Sequence, residues 1–354
     1  DGTLQVSTGA TEMGQGVNAR ISELVASEFG LSRDYVRMMP TRTDKNGNTS
    51  PTAASSGTDL NGAAALIAAR KIKARLSELA LKLFNIPERH WARHSASLGT
   101  QEEITVNDIE VDSNDPNFDA DFKSGVATYH DIAFEAGHVY LKSKPQEKIA
   151  FFALINEAYL NRISLSDYAH YRFPGLSFNK LSGRGDAFLY FTQGVAASEV
   201  SIDQDTGEMK VLRSDILMDL GRTINEDLDR GQVTGGFIQG MGWVTSEKLF
   251  YSPAGALLSH APSTYKIPSV HDTPRVFIVK LFENSKNTVN VRGTKAAGEP
   301  PLLLALSVWT AIQNALSYLP QYKDAYPILE LPATREQILR AQYPEMFSLW
   351  ENKK

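Results

Sequence analysis

Cysteine is missing from all 354 residues of this chain. That absence excludes disulfides, thiolate zinc sites, cysteine-ligated iron–sulfur clusters and cysteine nucleophiles together. No stretch stays apolar for the roughly 20 residues needed to cross a bilayer, and no signal-peptide pattern opens the sequence. Excess positive charge is missing too: the formal net charge is −5, which gives no basic footprint for nucleic acid or an anionic membrane. These readings point to a cytoplasmic protein that binds neither nucleic acid nor membrane. Dedicated metal motifs are also scarce. His90-Trp-Ala-Arg-His94 has an i,i+4 pair but no adjacent Glu and no third ligand. Asp112-Ser-Asn-Asp-Pro lacks the Gly and terminal Glu of a calcium loop, so it reads as acidic surface.

What is present is ordinary for a globular chain: 42% hydrophobic and 22% charged residues. The length suits one large domain or two smaller ones. Asp1-Gly-Thr-Leu-Gln-Val-Ser-Thr8 has no Met and enters a strand pattern at once, so a fragment of something longer is expected.

Residues 3–8 read as a strand, and the loop Gly9–Gly16 leads into an amphipathic helix through about Glu28. Val36-Arg-Met-Met39 reads as a short strand, and 46–57 as a polar loop. Thr58 or Asp59 is expected to cap an alanine-rich helix to about Leu83. Residues 101–121 look like solvated loop. Strands are expected at 187–193 and 195–203, with Gln204-Asp-Thr-Gly207 turning into 208–218 as a hairpin. A glycine-bearing helix follows, then strands near 249–258 and 275–282. A last helix opens at Thr334 with Gln337 completing a capping box. Strand runs mixed with segregated helices argue an α+β fold of mixed and antiparallel strands with packed helices, in lobes at 1–185 and 186–354.

Four segments carry chemistry. Gly293-Thr-Lys-Ala-Ala-Gly-Glu-Pro-Pro-Leu302 puts Glu299 ahead of a helix that starts with proline, since Pro300 and Pro301 suit a first turn whose N–H groups have no partner. The apolar run 302–316 predicts a mostly buried helix. Glu299 there is either a helix-terminal charge or a base at a pocket rim. Thr11-Glu-Met-Gly-Gln-Gly16 sets Gln15 between glycines; free N–H groups would suit an anionic or heteroaromatic ligand, or the segment is only a helix-starting turn. Thr49-Ser-Pro-Thr-Ala-Ala-Ser-Ser56 offers hydroxyls with Ala53 and Ala54 leaving room for a flat ring, or it is a plain Ser/Thr loop. Gly231, Gly235, Gly236, Gly240 and Gly242 share one helix, where each costs about 1 kcal/mol against Ala. Close approach of a backbone, a cofactor or another helix would explain them. None of these segments matches a dinucleotide or Walker pattern.

In this order and spacing the four segments resemble the molybdenum hydroxylases, the xanthine dehydrogenase and aldehyde oxidase family, specifically the C-terminal half of their molybdopterin-binding domain. The resemblance is dense at 1–62 and 186–318 and thin at 85–140. Ser164–Gly175 looks like the xanthine dehydrogenase branch but departs from its commoner wording. The resemblance implies that Glu299 is the catalytic base. Met13, Gly14 and Gln15 would meet the pterin, Thr52, Ala53, Ala54 and Ser55 would line cofactor and substrate, and Gln232 would give a second amide. Molybdenum would take no protein side chain. It further implies purine hydroxylation, with Glu299 activating a molybdenum-held hydroxide and hydride passing to a sulfido ligand; aldehydes or N-heterocycles are the alternative substrates, and a non-catalytic interaction module the alternative role. The 2Fe-2S, FAD and NAD sites, and the rest of the molybdopterin domain, would lie in missing parts or a partner subunit, in an oligomer. On this reading the chain alone is inactive, and folding gathers the four segments at one cofactor.

Overall fold

The computed structural model describes residues 2–47, 49–84, 129–284, 286–323 and 325–351. The readings placed on His90, His94, 101–121 and Asp112 lie outside the described residues. Two compact units emerge: Asp1–Tyr190 with Lys286–Thr294, and Phe191–Ser285 with Lys295–Lys354.

In the first unit β1 (Leu4–Val6) pairs in parallel with β2 (Val36–Met38), and α1 (Val17–Glu28) is inserted between them in sequence. Parallel neighbours need such a crossover. Apolar residues at Val17, Ile21, Leu24 and Val25 recur at helical spacing and are all buried. The long helix α2 (Ala63–Leu83) buries Leu76, Leu79 and Ala80 in the same core. An antiparallel sheet of β3 (Ile132–Glu135), β4 (His138–Leu141) and β5 (Lys148–Ala150) runs directly into α3 (Phe151–Leu160). Phe29, Phe134 and Phe151 meet edge to face, with centroids 5.8–6.5 Å apart. A two-stranded hairpin, β6 (Ser177–Asn179) with β7 (Arg184–Asp186), lies on the surface.

The second unit is built on β8 (Gln193–Ile202) and β9 (Met209–Asp219), an antiparallel hairpin with an irregularity between Glu199 and Val200. β10 (Val276–Leu281) joins β9 in parallel, so this sheet is mixed. The helices α4 (Glu226–Thr245) and α5 (Leu306–Ser317) share its core through Val233, Phe237, Met241, Val308, Ile312 and Leu316. Two further helices, α6 (Arg335–Gln342) and α7 (Pro344–Glu351), close the chain. The fold class is α+β, as the mixture of strand and helix patterns indicates.

Several expectations need correction. Residues 187–192 form no strand; Tyr190 and Thr192 instead spend their hydroxyls on Asp59 and on the Ala296 carbonyl. Residues 249–258 form only an isolated bridge, Tyr251 to Leu257. The run 302–316 is not mostly buried: Val308, Ile312 and Leu316 face the core while Leu303 and Leu306 are exposed. Thr334 does cap α6 by accepting from the Gln337 N–H, but the Gln337 side chain donates to Glu330 at 3.1 Å, so no full capping box forms.

Candidate functional site

The first unit holds two of the four segments side by side. The Thr11 N–H donates to Thr52 Oγ1 at 2.8 Å, tying loop 9–16 to loop 49–57. Gly9 approaches Thr49 so closely that any Cβ at Gly9 would overlap its side chain. Gln15 is folded into its own loop: its Oε1 accepts from Met13 N–H at 2.6 Å and its Nε2 donates to Thr11 O at 2.9 Å. An amide carries two N–H donors, so a second remains for a ligand. Met13 is exposed, and Gly14, at φ 101°, has nothing within 4 Å of a Cβ position.

The expectation of free N–H groups in this loop is overturned by Glu12. Its Oε1 accepts from Gly14 and Gly16 N–H, both at 2.9 Å, and its Oε2 from Asn18 N–H at 3.0 Å. This carboxylate stands at the anion-binding end of α1 and takes one N–H of its first turn, that of Asn18. Partial burial alone would raise the carboxyl of Glu12, but the N–H groups of Asn18, Gly16, Gly14 and Met13 hold it below the ordinary range. The Gly14 and Gly16 N–H groups are therefore taken by the loop's own carboxylate.

Loop 49–57 is strained. Ala54 and Ser55 sit consecutively at φ 56° and 54°, a left-handed conformation that costs non-glycine residues about 1–3 kcal/mol each. The Ser56 N–H and hydroxyl both donate to Ala53 O, at 3.4 and 3.0 Å, which tightens the turn. The chain then enters α2 through a wide π turn, Thr58–Gly62. Thr58 and Asp59 do not cap it; both are buried inside the helical stretch, where Asp59 accepts from the Tyr190 hydroxyl at 2.5 Å.

The second unit holds the other two segments. Asn225 caps α4 by accepting from Leu228 N–H, and Glu226, Asp227 and Asp229 follow in its first turn. Gln232, Gly236 and Gly240 recur at i, i+4 and i+8 and so share a face. A Cβ on Gly236 would lie 3.1 Å from Pro301 Cβ and 3.6 Å from Gly298 O, and one on Gly240 would overlap Leu302 O. Another backbone, residues 298–302, is thus what two of the helix glycines accommodate. Gly231 and Gly235 have nothing within 4 Å. Gln232 is half-buried, and among the described residues its side-chain amide makes no hydrogen bond.

Glu299 stands at the start of a 3₁₀ turn, Pro300–Ala305, that leads into α5. Proline fills N1 as expected, and the Glu299 side chain does not cap the turn. It is exposed in this chain. The approach to it is pinned. Lys295 Nζ lies 2.7 Å from Asp219 Oδ2, and Lys295 N–H donates to Leu220 O at 2.9 Å. The Thr192 hydroxyl donates to Ala296 O at 3.2 Å. Asp219 also accepts from Gly221 N–H and Asn284 Nδ2, both at 2.8 Å. Burial pushes the Asp219 carboxyl up, but Lys295 and the other two donors bring it below its usual value.

The sequence reading missed Glu12, Asp219 and Lys295. Glu12 and Lys295 stood inside the quoted segments, and a carboxylate between glycines at a helix start was a legible capping signal. Asp219 ends a strand and had no local sign of its partner.

A pterin is a flat heterocycle with many donors and acceptors. Taken unit by unit, the groups present suit such a ring: in the first, the Gln15 amide, the left-handed backbone at Ala54 and Ser55 and the missing Cβ of Gly14; in the second, the Gln232 amide. Among the described residues, no group of three or more His, Asp or Glu could hold a metal ion.

A family profile for the molybdopterin cofactor-binding domain matches residues 1–122 and 119–274. The chain belongs to this family, in the molybdenum hydroxylase group of xanthine dehydrogenases and aldehyde oxidases. It is 34% identical to xanthine dehydrogenase 1 of Arabidopsis thaliana, over 99% of this chain and 22% of that protein. It is 33% identical to the xanthine dehydrogenase/oxidase of Gallus gallus, over 96% of this chain and 21% of that protein. The chain therefore spans about a fifth of the length of these relatives. Among solved structures, the Cu,Mo-CO dehydrogenase superposes with a TM-score of 0.72 at 18% identity, covering 97% of this chain and 36% of that one. Quinoline 2-oxidoreductase from Pseudomonas putida 86 gives 0.71 at 21% identity, with 97% and 37% covered. At these identities the structures show a shared fold. No helix among the described residues is long and apolar enough to cross a membrane.

Proposed function

We propose that this chain is the molybdopterin-binding portion of a xanthine dehydrogenase-like hydroxylase that oxidises a purine, xanthine or hypoxanthine, towards urate. The observation that carries the reading is Glu299: an exposed carboxylate at the end of a pinned segment, packed on the same helix that presents the unbonded Gln232 amide. When bound, the molybdenum pterin supplies the two-electron oxidation that converts a carbon–hydrogen bond of the substrate to carbon–hydroxyl. In the first unit Gln15, with Met13 and Gly14, would hold the pterin through neutral hydrogen bonds, and Thr52, Ala53, Ala54 and Ser55 would leave clearance for flat rings; in the second, Gln232 would offer a further amide. A Glu299 carboxylate oxygen takes up the proton shed by the incoming oxygen, which requires it to be ionised and within about 3 Å of that proton. Electrons leave through iron–sulfur, FAD and NAD sites outside this chain, and the working protein is cytoplasmic and oligomeric.

The test is made on the full-length protein. Elemental analysis is expected to find molybdenum, and xanthine is expected to be converted to urate faster than aldehydes are oxidised. Aldehyde oxidation without urate formation would move the reading to the aldehyde or N-heterocycle branch. Absence of both molybdenum and turnover would leave a non-catalytic interaction module.

A further inference from the structure

Outside the site described lies a buried charge pair that the mechanism does not use. Asp219 and Lys295 have side chains only 11% and 9% exposed, 2.7 Å apart. Two charges taken out of water often stabilise a fold no better than apolar residues of the same volume, and in some proteins what they add is a defined geometry. Here the geometry is set at both ends. Asp219 is the last residue of β9, and its carboxylate is held by Gly221 N–H, Asn284 and Lys295. Lys295 is held by its ammonium and by its own N–H, which donates to Leu220 O. Four residues on comes Glu299, with Ala296 held by Thr192 and Gly298 packed on Gly236 in between.

We propose that Lys295, locked to Asp219, is the positioning residue that sets where the Glu299 carboxylate stands. The proposal rests on the reading of Glu299 as the base. A catalytic group displaced by about 1 Å loses on the order of 10²-fold in rate, so the pair governs kcat while leaving substrate affinity to other residues.

The experiment uses the full-length protein with both charges removed, Asp219→Asn with Lys295→Met, so that neither is left buried alone. The expected result is a kcat lowered by about 10-fold to 10²-fold, with KM and molybdenum content held and faster hydrogen exchange at the amides of 295–298. Lys295→Arg should recover less than half of the lost rate, because a planar guanidinium cannot take the place of an ammonium in this geometry. An unchanged kcat in the double variant overturns the proposal. Hydrogen exchange on the unsubstituted protein covers the case in which the double variant does not fold: rapid exchange of the Lys295 amide would show that no pin exists. Glu299→Gln, assayed in parallel, separates the two claims. If it lowers kcat and the double variant does not, only the positioning role fails; if it is silent, the base reading fails and this inference with it.

Discussion

Asp59 is a carboxylate buried at the entry to α2, against the Tyr190 hydroxyl. Burial raises its carboxyl above the ordinary range; hydrogen bonds from Tyr190 and Asn290 and the charge of Arg20 offset only part of that. A raised folded-state value means that the folded chain holds a proton the unfolded chain has already released. Stability from Asp59 is therefore complete below the unfolded value of about 3.9 and falls as pH climbs from there through the folded value. Asp59→Asn should flatten this slope, so thermal melts from about pH 4 to about pH 8 should show the variant gaining on the parent as pH rises. Equal slopes would refute it. Glu12 gives a second residue-level expectation. Glu12→Ala strips Gly14, Gly16 and Asn18 of their shared acceptor and should cost about 1 kcal/mol in denaturant unfolding, the loss of an ordinary helix cap. Both residues were visible in the sequence as polar groups near a helix start. Which one capped its helix and which was buried inside depended on contacts with distant residues such as Tyr190, and no local pattern encodes those.

At the scale of elements, α4 tests whether its glycines are required. Gly240 faces the Leu302 carbonyl with no room for a Cβ, while Gly235 faces open space. Gly240→Ala should destabilise by about 1–3 kcal/mol through overpacking. Gly235→Ala should stabilise by up to about 1 kcal/mol, since it removes only the helix cost of glycine. Chemical denaturation of the two variants checks both signs; a shared sign would mean that packing against 298–302 does not explain the pattern. The glycine density was legible as a demand for close approach. The partner was not, because it is a segment about 60 residues further along the chain, and periodicity reports a face without naming what covers it. The hairpin 193–219 was legible for the opposite reason: its alternation and its turn are local. Residues 187–192 misled because aromatic runs favour strands in general, whereas here two hydroxyls are used in specific ties.

At the scale of the molecule, the segments named from the sequence fall into two pairs, each within one compact unit: loops 9–16 and 49–57 in the first, α4 and the Glu299 segment in the second. The family was legible because its motifs are short, local and ordered along the chain. The units were harder to read, since residues 286–294 fold with the first unit while their neighbours on both sides fold with the second. The chain corresponds to about a fifth of the length of its relatives. The isolated 354 residues are accordingly expected to give no urate from xanthine, and turnover by the purified chain alone would contradict this.

The most direct measurement is the rate of substrate oxidation by full-length protein carrying Glu299→Gln, at matched molybdenum content and melting temperature. Glutamine keeps the size of the side chain and removes its capacity to accept the proton. The account predicts a fall of about 10²–10⁴-fold in kcat, the usual cost of losing a general base. A variant that folds, holds its metal and turns over at the parent rate would show that Glu299 is only a charge at the start of a helix.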